Sequence, residues 1–272
     1  MTTTVADVLA VAEDLWPSAG AESWDAVGLV SGDRASKVAR IMLSVDAVVD
    51  TVDEAIAAKT DLLFSHHPLL LRGVSTVAED RYKGALVARL IRANCALLTA
   101  HTNADVVETG TSATLAAKLG LTDVRPLVPG GSAAGGIGRV GRLVVPTTVG
   151  RLARQLADIL PPTAGGVRVS GEYDAPVETI ALCAGAGDAY LSERAVLEAD
   201  VYITSDLRHH PASEFRENAR FARGTALIDV SHWASEWLWL DVAAEQLRAA
   251  LPGVAVTVSE IRTDPWDFAV VQ

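Results

Sequence analysis

The sequence predicts an α/β fold with a largely parallel sheet, and two observations carry this prediction. From Ala39 onward, short aliphatic or β-branched runs alternate with longer amphipathic stretches, which is the pattern of repeated strand–helix units. Hydrophobic residues make up 50% of the 272 residues and charged residues 21%, a composition typical of a folded globular chain. This length predicts one large domain or two modest ones.

The individual elements follow from the same alternation. The apolar runs predict strands at Arg40–Asp46, Asp61–Ser65, Cys95–Ala100, Thr179–Ala184, Val201–Ser205 and Ala226–Val230. The amphipathic stretches predict helices at Ala47–Lys59, Tyr82–Asn94 and Val149–Leu160. Because these helices come after strands, they can form the crossover connections that parallel pairing requires.

A segment rich in glycine and proline, Pro126–Gly138, interrupts this pattern. Glycines permit the unusual backbone angles of a turning connection, so we place a domain junction here. The alternative is a long surface loop inside one domain.

Charge and hydropathy narrow the classes of partner. The chain has 23 Lys and Arg against 34 Asp and Glu, a net charge of -11, which opposes binding to nucleic acid or to an anionic membrane. No stretch approaches the roughly 20 apolar residues that span a bilayer, and the first residues do not resemble a signal peptide.

Cys95 and Cys183 lie in apolar runs that predict buried, reduced thiols. We therefore expect a cytoplasmic protein without a membrane partner.

Two adjacent histidines follow one of the predicted strands. His66 and His67 come directly after Asp61–Ser65, and Pro68 ends the strand. The carboxyl ends of strands in parallel α/β sheets face the ligand crevice. Alternation along an extended chain points the two imidazoles apart, so only a local bend brings both to one ligand. Metal ligation and a structural role both stay open here.

The same placement recurs at two further strand ends. His101 and Asp105 follow the strand Cys95–Ala100, where Asp105 is either a ligand or a turn residue that caps the next helix. His232 and Glu236 follow Ala226–Val230 at the start of a helix, and their i, i+4 spacing places them side by side. That pair can share a cation or can be an exposed pair at a helix start.

Taken together, these clusters predict a metal site, because they hold four of the six histidines in the chain. Imidazoles with carboxylates suit Zn, Mn, Fe or Ni better than Mg or Ca, and the lack of thiolates argues against a purely structural zinc site. Two metal ions are plausible, since the carboxylate of Asp105 or Glu236 has two oxygens and can bridge them.

Two weaker features follow other strands. His210, after the strand Val201–Ser205, is a candidate proton donor or a solvated residue at a helix start. The glycines of Gly185–Gly187 can bind a phosphate at a helix start, but such a pair more often marks a tight turn.

The chain resembles the Nif-three-like dinuclear metal-centre family, whose members are often labelled GTP cyclohydrolase 1 type 2. The resemblance covers nearly the full chain. Six motifs carry it, at Trp24–Leu29, Ser65–Pro68, His101–Asp105, Gly136–Gly141, Asp200–Asp206 and His232–Glu236. The chain departs from the family pattern at four positions without a proposed ligand: Ala26 replaces Asn, Ser205 and Ser231 replace Gly, and Ala186 replaces Ser.

The resemblance implies the ligands of a dinuclear centre. The residues that match its two divalent ions are His66, His67, Asp105, His232 and Glu236. His101 is implied to line the same pocket, where it either binds a metal-bound water or acts through the ligands. No substrate-binding residue is assigned.

The resemblance also implies an architecture and an assembly. It indicates two related α/β lobes with mixed, largely parallel sheets and the metal site in the cleft between them. We assign residues 1–128 plus 225–272 to the first lobe and 129–224 to the second. The implied assembly is a homohexameric ring. At 272 residues the chain matches the short form of the family, without an inserted domain.

These observations lead to two hypotheses about function. The first is a dinuclear-metal-dependent hydrolase of a small, nucleotide-like molecule, nominally a GTP cyclohydrolase 1 type 2 that opens the GTP ring and releases formate. The second is a non-catalytic metal-binding or regulatory protein that forms a ring and acts through partners. The residues alone do not choose the substrate, the reaction or the native metal.

Overall fold

The computed structural model describes residues 2–130, 135–222 and 224–270 and confirms the α/β class. The strands are β1 (Gly28–Ser31), β2 (Arg40–Ser44), β3 (Leu62–Ser65), β4 (Ala96–Thr99), β5 (Leu121–Arg125), β6 (Val128–Pro129), β7 (Gly136–Ile137), β8 (Arg139–Thr148), β9 (Arg168–Ser170), β10 (Pro176–Ala186), β11 (Val201–Ser205), β12 (Ala226–Val230) and β13 (Ala255–Val258). The helices are α1 (Val5–Leu15), α2 (Val49–Ala57), α3 (Tyr82–Arg92), α4 (Thr102–Asp105), α5 (Thr111–Lys118), α6 (Val149–Ile159), α7 (Arg194–Leu197), α8 (His209–Ala219) and α9 (His232–Ala250). Every element predicted from the sequence is present, with ends shifted by a few residues.

The chain divides into two compact units. The first unit consists of Met1–Ala104 and Leu240–Thr263, and the second of Asp105–Trp239 and Asp264–Gln272. The lobe boundaries drawn from the sequence stay a prediction.

The first unit is built on a five-stranded sheet in the order β1-β4-β3-β2-β13. The pairings from β13 through β4 are parallel, and β1 joins β4 in the antiparallel direction. Val52 of α2 and Leu86 of α3 belong to the buried apolar cluster that also contains Met42 and Leu63 of the sheet. Because Ser65 pairs with Thr99, β3 and β4 end at the same edge of the sheet. The residues that follow both strands therefore emerge side by side.

The second unit is built on a six-stranded mixed sheet in the order β5-β8-β10-β11-β12-β9. Only the central strands β10, β11 and β12 run parallel, and their neighbours are antiparallel. Ser205 pairs with both Ala186 and Val230, so the three parallel strands end together. The residues after these strand ends are consequently neighbours.

The Gly/Pro-rich segment lies within the second unit. Its described residues include the short antiparallel ribbon β6–β7, in which Val128 pairs with Ile137. The Gly130 N–H donates to the Gly135 carbonyl at 2.9 Å. Residues 131–134 of the predicted junction lie outside the described residues.

In the described part of the chain, each helix is too short or too polar to span a lipid bilayer.

Candidate metal centre

The chain bends directly after β3, and the bend brings His66 and His67 together. The backbone N–H groups of His66 and His67 donate to Ser44 and Val45 at 3.0 and 2.8 Å, which ties both residues to the end of β2. The Ser65 hydroxyl donates to the carbonyl of His67 at 2.9 Å. As a result the two imidazole centroids are 5.1 Å apart, where a regular strand would separate them.

His101 completes a cluster of three imidazoles in the first unit. Its ring centroid lies 5.2 Å from that of His66 and 5.4 Å from that of His67. One ring nitrogen from each of the three histidines lies within 4.8 Å of the others. Three imidazoles at this spacing form a donor set that suits a transition-metal ion.

Each of these imidazoles uses Nδ1 for a hydrogen bond to an oxygen acceptor. His66 Nδ1 is 3.0 Å from the Ala100 carbonyl, and His67 Nδ1 is 2.7 Å from Asp46 Oδ1. His101 Nδ1 is 2.9 Å from Asp25 Oδ1. An oxygen that only accepts requires the proton on Nδ1, so the neutral rings carry their lone pairs on Nε2. This is the arrangement in which outer groups orient metal-binding histidines.

Asp25 is the buried carboxylate behind His101. Thr102 donates to Asp25 Oδ2 through its N–H at 3.0 Å and also through its hydroxyl. Burial opposes ionisation of Asp25, but the hydrogen bonds from Thr102 and His101 outweigh it and lower the pKa below its usual value. The group therefore stays a carboxylate that can orient the imidazole.

The second unit carries a histidine held between two carboxylates at the start of α9. His232 Nδ1 is 2.7 Å from Asp206 Oδ2, and His232 Nε2 is 3.0 Å from Glu236 Oε1. Burial favours the neutral ring, yet Glu236 and Asp206 raise the pKa of His232 well above its usual value. The carboxylates thus stabilise positive charge at this point.

Ser231 fixes the first turn of α9. The Ala234 N–H donates to the Ser231 hydroxyl oxygen at 3.2 Å, and that hydroxyl donates to Asp264 at 2.5 Å. A serine at this position is a favourable N-cap, which a glycine matches only in part. The departure from the family pattern at Ser231 therefore supports the helix that presents His232.

Gly185 leaves room for the His232–Glu236 pair. Its φ angle is +73°, and a Cβ built there would lie 2.3 Å from Glu236 Oε1 and 3.3 Å from His232 Nε2. The Gly185 N–H also donates to the Ser235 hydroxyl at 3.0 Å. Only glycine fits both the backbone angle and the space beside the carboxylate.

Gly187 is required for a different steric reason. A Cβ there would lie 2.3 Å from Thr204 Oγ1 and 2.4 Å from the Tyr202 hydroxyl oxygen. The Tyr202 hydroxyl donates to the Gly187 carbonyl at 2.9 Å. Gly185 and Ala186 lie in β10, at an irregularity in its pairing with β11, and Gly187 directly follows the strand. Gly185–Gly187 is therefore the packed end of a strand and not the tight turn considered from the sequence.

Replacing Gly185 with alanine is expected to lower the free energy of unfolding by about 2–4 kcal/mol, because the methyl group collides with Glu236 in an already strained backbone. The bound metal per chain should fall in parallel. Urea unfolding and metal analysis measure the two effects. Gly166→Ala is the matched control, since its φ is +57° and nothing lies within 4 Å of the added Cβ. Equal losses in both variants would show that only backbone strain matters.

Asp105 ends α4 and accepts a hydrogen bond from the Thr111 hydroxyl at 2.6 Å. Burial raises the pKa of the Cys183 thiol, and the negative charges of Asp105 and Glu236 raise it further. Both carboxylates therefore act on the same buried thiol, and the Arg139 cation acts on it in the opposite direction.

Arg139 is a buried cation in the same unit, with 3% of its surface exposed. Its guanidinium donates to the carbonyls of Gly136, Gly138 and Val107 at 2.7, 2.7 and 2.5 Å. Burial lowers the pKa of Arg139, whereas the charges of Glu108 and Asp105 act in the opposite direction. The sequence motif Gly136–Gly141 thus contains a side chain that organises the backbone beyond Asp105.

The predicted site residues are divided between the two units. His66, His67 and His101 belong to the first unit, and Asp105, His210, His232 and Glu236 to the second. His210 is exposed on the first turn of α8, where its ring lies 5.2 Å from that of His209. The contacts described for His210 do not include His232 or Glu236.

Sequence reasoning missed three carboxylates that orient histidines: Asp25, Asp46 and Asp206. Asp46 and Asp206 follow the strands β2 and β11, the same placement that singled out the histidines. That placement was a usable signal for both. Asp25 lies within a quoted motif, but nothing in its spacing connects it to His101.

The sequence profile of the family described as Duf34/NIF3 (NGG1p interacting factor 3) matches residues 3–265. A Streptomyces coelicolor protein named GTP cyclohydrolase 1 type 2 homolog is 45% identical over 269 residues, covering 96% of this chain and 93% of that protein. A Mycobacterium tuberculosis protein of the same name is 35% identical, covering 98% of each chain. That alignment extends over 379 positions, so the mycobacterial protein contains inserted sequence relative to this 272-residue chain.

Solved structures show the same fold. A Bacillus cereus protein related to NIF3 superposes with a TM-score of 0.88 at 20% identity, covering 98% of this chain and 99% of that one. The Staphylococcus aureus hypothetical protein SA1388 gives a TM-score of 0.87 at 25% identity, covering 99% and 100% of the two chains.

Proposed function

This chain belongs to the Duf34/NIF3 family, and from that membership and its donor groups we propose that it is a metal-dependent hydrolase of a nucleotide-like small molecule. The single observation that carries the proposal is the set of three imidazoles in the first unit, each with Nδ1 committed to an oxygen acceptor. Imidazoles oriented in this way are characteristic of a metal site, in which we assign Nε2 of His66 and His67 to the metal and place His101 beside them. We further propose a cytoplasmic location, with which the two buried, free cysteines are compatible.

We propose five residues as the metal ligands. They are His66, His67, Asp105, His232 and Glu236. Imidazole nitrogens and carboxylate oxygens together fit Zn, Mn, Fe or Ni, and two ions per chain are proposed because carboxylates can bridge. The space that Gly185 leaves beside Glu236 and the two carboxylates around His232 both support cation binding in the second unit.

The chemistry that a bound divalent cation supplies is polarisation of the bond under attack and acidification of a water molecule. The surrounding residues prepare for it. Asp46 fixes the orientation of His67, and the Ala100 carbonyl fixes that of His66. His101 and Asp25 form an imidazole–carboxylate dyad that can accept a proton at Nε2, so we propose His101 for proton transfer. His210 stays a proposed proton donor.

The nominal reaction follows the name of the relatives, GTP cyclohydrolase 1 type 2 homolog. For this chain we propose, as that reaction, opening of the GTP ring with release of formate. Phosphoester hydrolysis of a nucleotide would use the same groups. Both reactions are metal-assisted hydrolysis of a polarised bond.

A non-catalytic, ring-forming regulatory protein is the second candidate function. The family description, NGG1p interacting factor, refers to a protein partner and favours this alternative. Val144 and Val145 of β8 are 73% and 75% exposed, which leaves two large apolar side chains of this strand in solvent. We propose a homohexamer, and light scattering should then report the mass of six chains.

Metal analysis of protein purified without added metal, combined with a screen of nucleotides for hydrolysis, tests the proposal. We expect about two ions per chain and turnover that stops on chelation and returns when the metal is restored. Absence of metal, with none taken up on reconstitution, would overturn the metal site. Full metal occupancy and an intact hexamer without turnover of any nucleotide would favour the regulatory function.

A further inference from the structure

Trp24 lies beside the three-histidine cluster with most of its indole in solvent. Trp24 and Trp266 are 59% and 67% exposed, whereas Trp16, Trp233 and Trp239 are buried in the described structure, and only Trp24 of the two exposed indoles has a ring contact with a histidine among those described. An exposed indole forgoes the stabilisation that a large aromatic side chain gains when it is buried. Its position therefore calls for an explanation other than packing.

The segment that bears Trp24 is held firmly on both sides of the indole. The Glu22 N–H donates to the Thr102 hydroxyl oxygen at 3.0 Å, and the Asp25 N–H donates to the Glu22 carbonyl at 3.0 Å. The Asp25 carboxylate accepts from Thr102 and from His101. Trp24 is thus fixed by the residues that follow β4, the same residues that present His101.

The contact between Trp24 and His101 leaves indole surface available. Their ring centroids are 5.9 Å apart and the rings meet at 75°, so the imidazole touches the indole in an edge-on arrangement instead of stacking on it. The His101 ring is in turn 5.2 Å from that of His66. A planar ring stacked on Trp24 would therefore lie next to the imidazole donors.

We infer that Trp24 is the stacking platform for the base of the nucleotide, and hence a residue that determines substrate specificity. This inference rests on the nucleotide-like substrate of the proposed function and adds the group that recognises the heterocycle. Stacking on an aromatic side chain suits any base, because every base has a π-face. It predicts a ligand with a planar heterocycle and a polar portion that reaches the histidines.

Affinity measurements on Trp24→Ala and Trp24→Phe test the inference. Rapid filter binding on metal-loaded protein gives dissociation constants for labelled GTP and for inorganic triphosphate, which lacks a base. We expect Trp24→Ala to weaken GTP binding about 5- to 100-fold and to leave triphosphate binding unchanged. Trp24→Phe should keep most of the affinity. Trp266→Ala is the control, since Trp266 is 67% exposed and lies in the second unit.

The outcomes separate the stacking role from the proposed function. Unchanged GTP affinity in Trp24→Ala, with normal turnover, overturns the stacking role and leaves the hydrolase in place. Base-dependent binding that requires Trp24 without turnover supports the stacking role and removes the hydrolase. No GTP binding by the unmodified protein overturns both. An unchanged affinity with a smaller assembly would assign the indole to an interface between copies.

Discussion

Replacing Asp105 with asparagine is expected to lower nucleotide turnover at least about a thousandfold and metal affinity about a hundredfold. Asparagine keeps an oxygen that can accept the hydrogen bond from the Thr111 hydroxyl, so the end of α4 should keep its shape. What it removes is the negative charge, which we propose binds the metal. Metal analysis and the nucleotide assay measure the two effects on the same preparation.

Glu108→Gln is the matched control for Asp105→Asn. Glu108 is exposed, lies three residues further on and also acts electrostatically on Arg139, but it is not a proposed ligand. We expect this variant to keep its metal and its turnover. Full metal content and turnover in Asp105→Asn would remove Asp105 from the ligand set. Loss of turnover with an intact hexamer would argue against the regulatory alternative.

Replacing Arg139 with methionine should lower the free energy of unfolding by about 4 kcal/mol, because it leaves buried carbonyl oxygens without their donor. Those oxygens belong to Gly136, Gly138 and Val107. The methionine side chain fills a similar volume, so the decrease in the free energy of unfolding comes from the lost hydrogen bonds and charge more than from a cavity. Denaturant unfolding followed by circular dichroism measures it.

Arg142→Met on the same strand provides the comparison. Arg142 is half exposed and forms an ion pair with Glu178 at the surface. Exposed pairs contribute little, so we expect a change below about 1 kcal/mol. An equal decrease in the free energy of unfolding in both variants would show that the buried Arg139 guanidinium stabilises the fold no more than the exposed Arg142 guanidinium does.

The strands that could be predicted are those buried on both faces. All residues of β3, β4, β11 and β12 are buried, and such strands appear in the sequence as nearly continuous apolar runs. The long strand β8 was not predicted because it begins with Arg139 and is exposed over much of its length. Pairing with β5 and β10 stabilises β8, and the residues of β8 alone do not indicate these partner strands.

The histidines of the candidate site could be identified because imidazoles are rare and follow strand ends. The carboxylates that orient them could not, because the partners are far apart in the chain. Asp25 is 76 residues from His101, and Asp206 is 26 residues from His232. Strand pairing brings each carboxylate close to its histidine, and the hydrophobic periodicity of the sequence does not show which strands pair. The assignment of the five metal ligands stays a prediction.

The pairing of β13 with β2 has a consequence for folding during synthesis. Ala255 of β13 pairs with Arg40 of β2, so the sheet of the first unit is complete only after β13 has been synthesised. At usual elongation rates β13 leaves the ribosome about 10–40 s after β2. Until then β2 has an unpaired apolar edge, a known hazard for aggregation. The strands of the second sheet, by contrast, all lie between Leu121 and Val230, so that sheet does not wait for a distant segment of the chain. Nascent chains should therefore depend on chaperones until their last strand is in place.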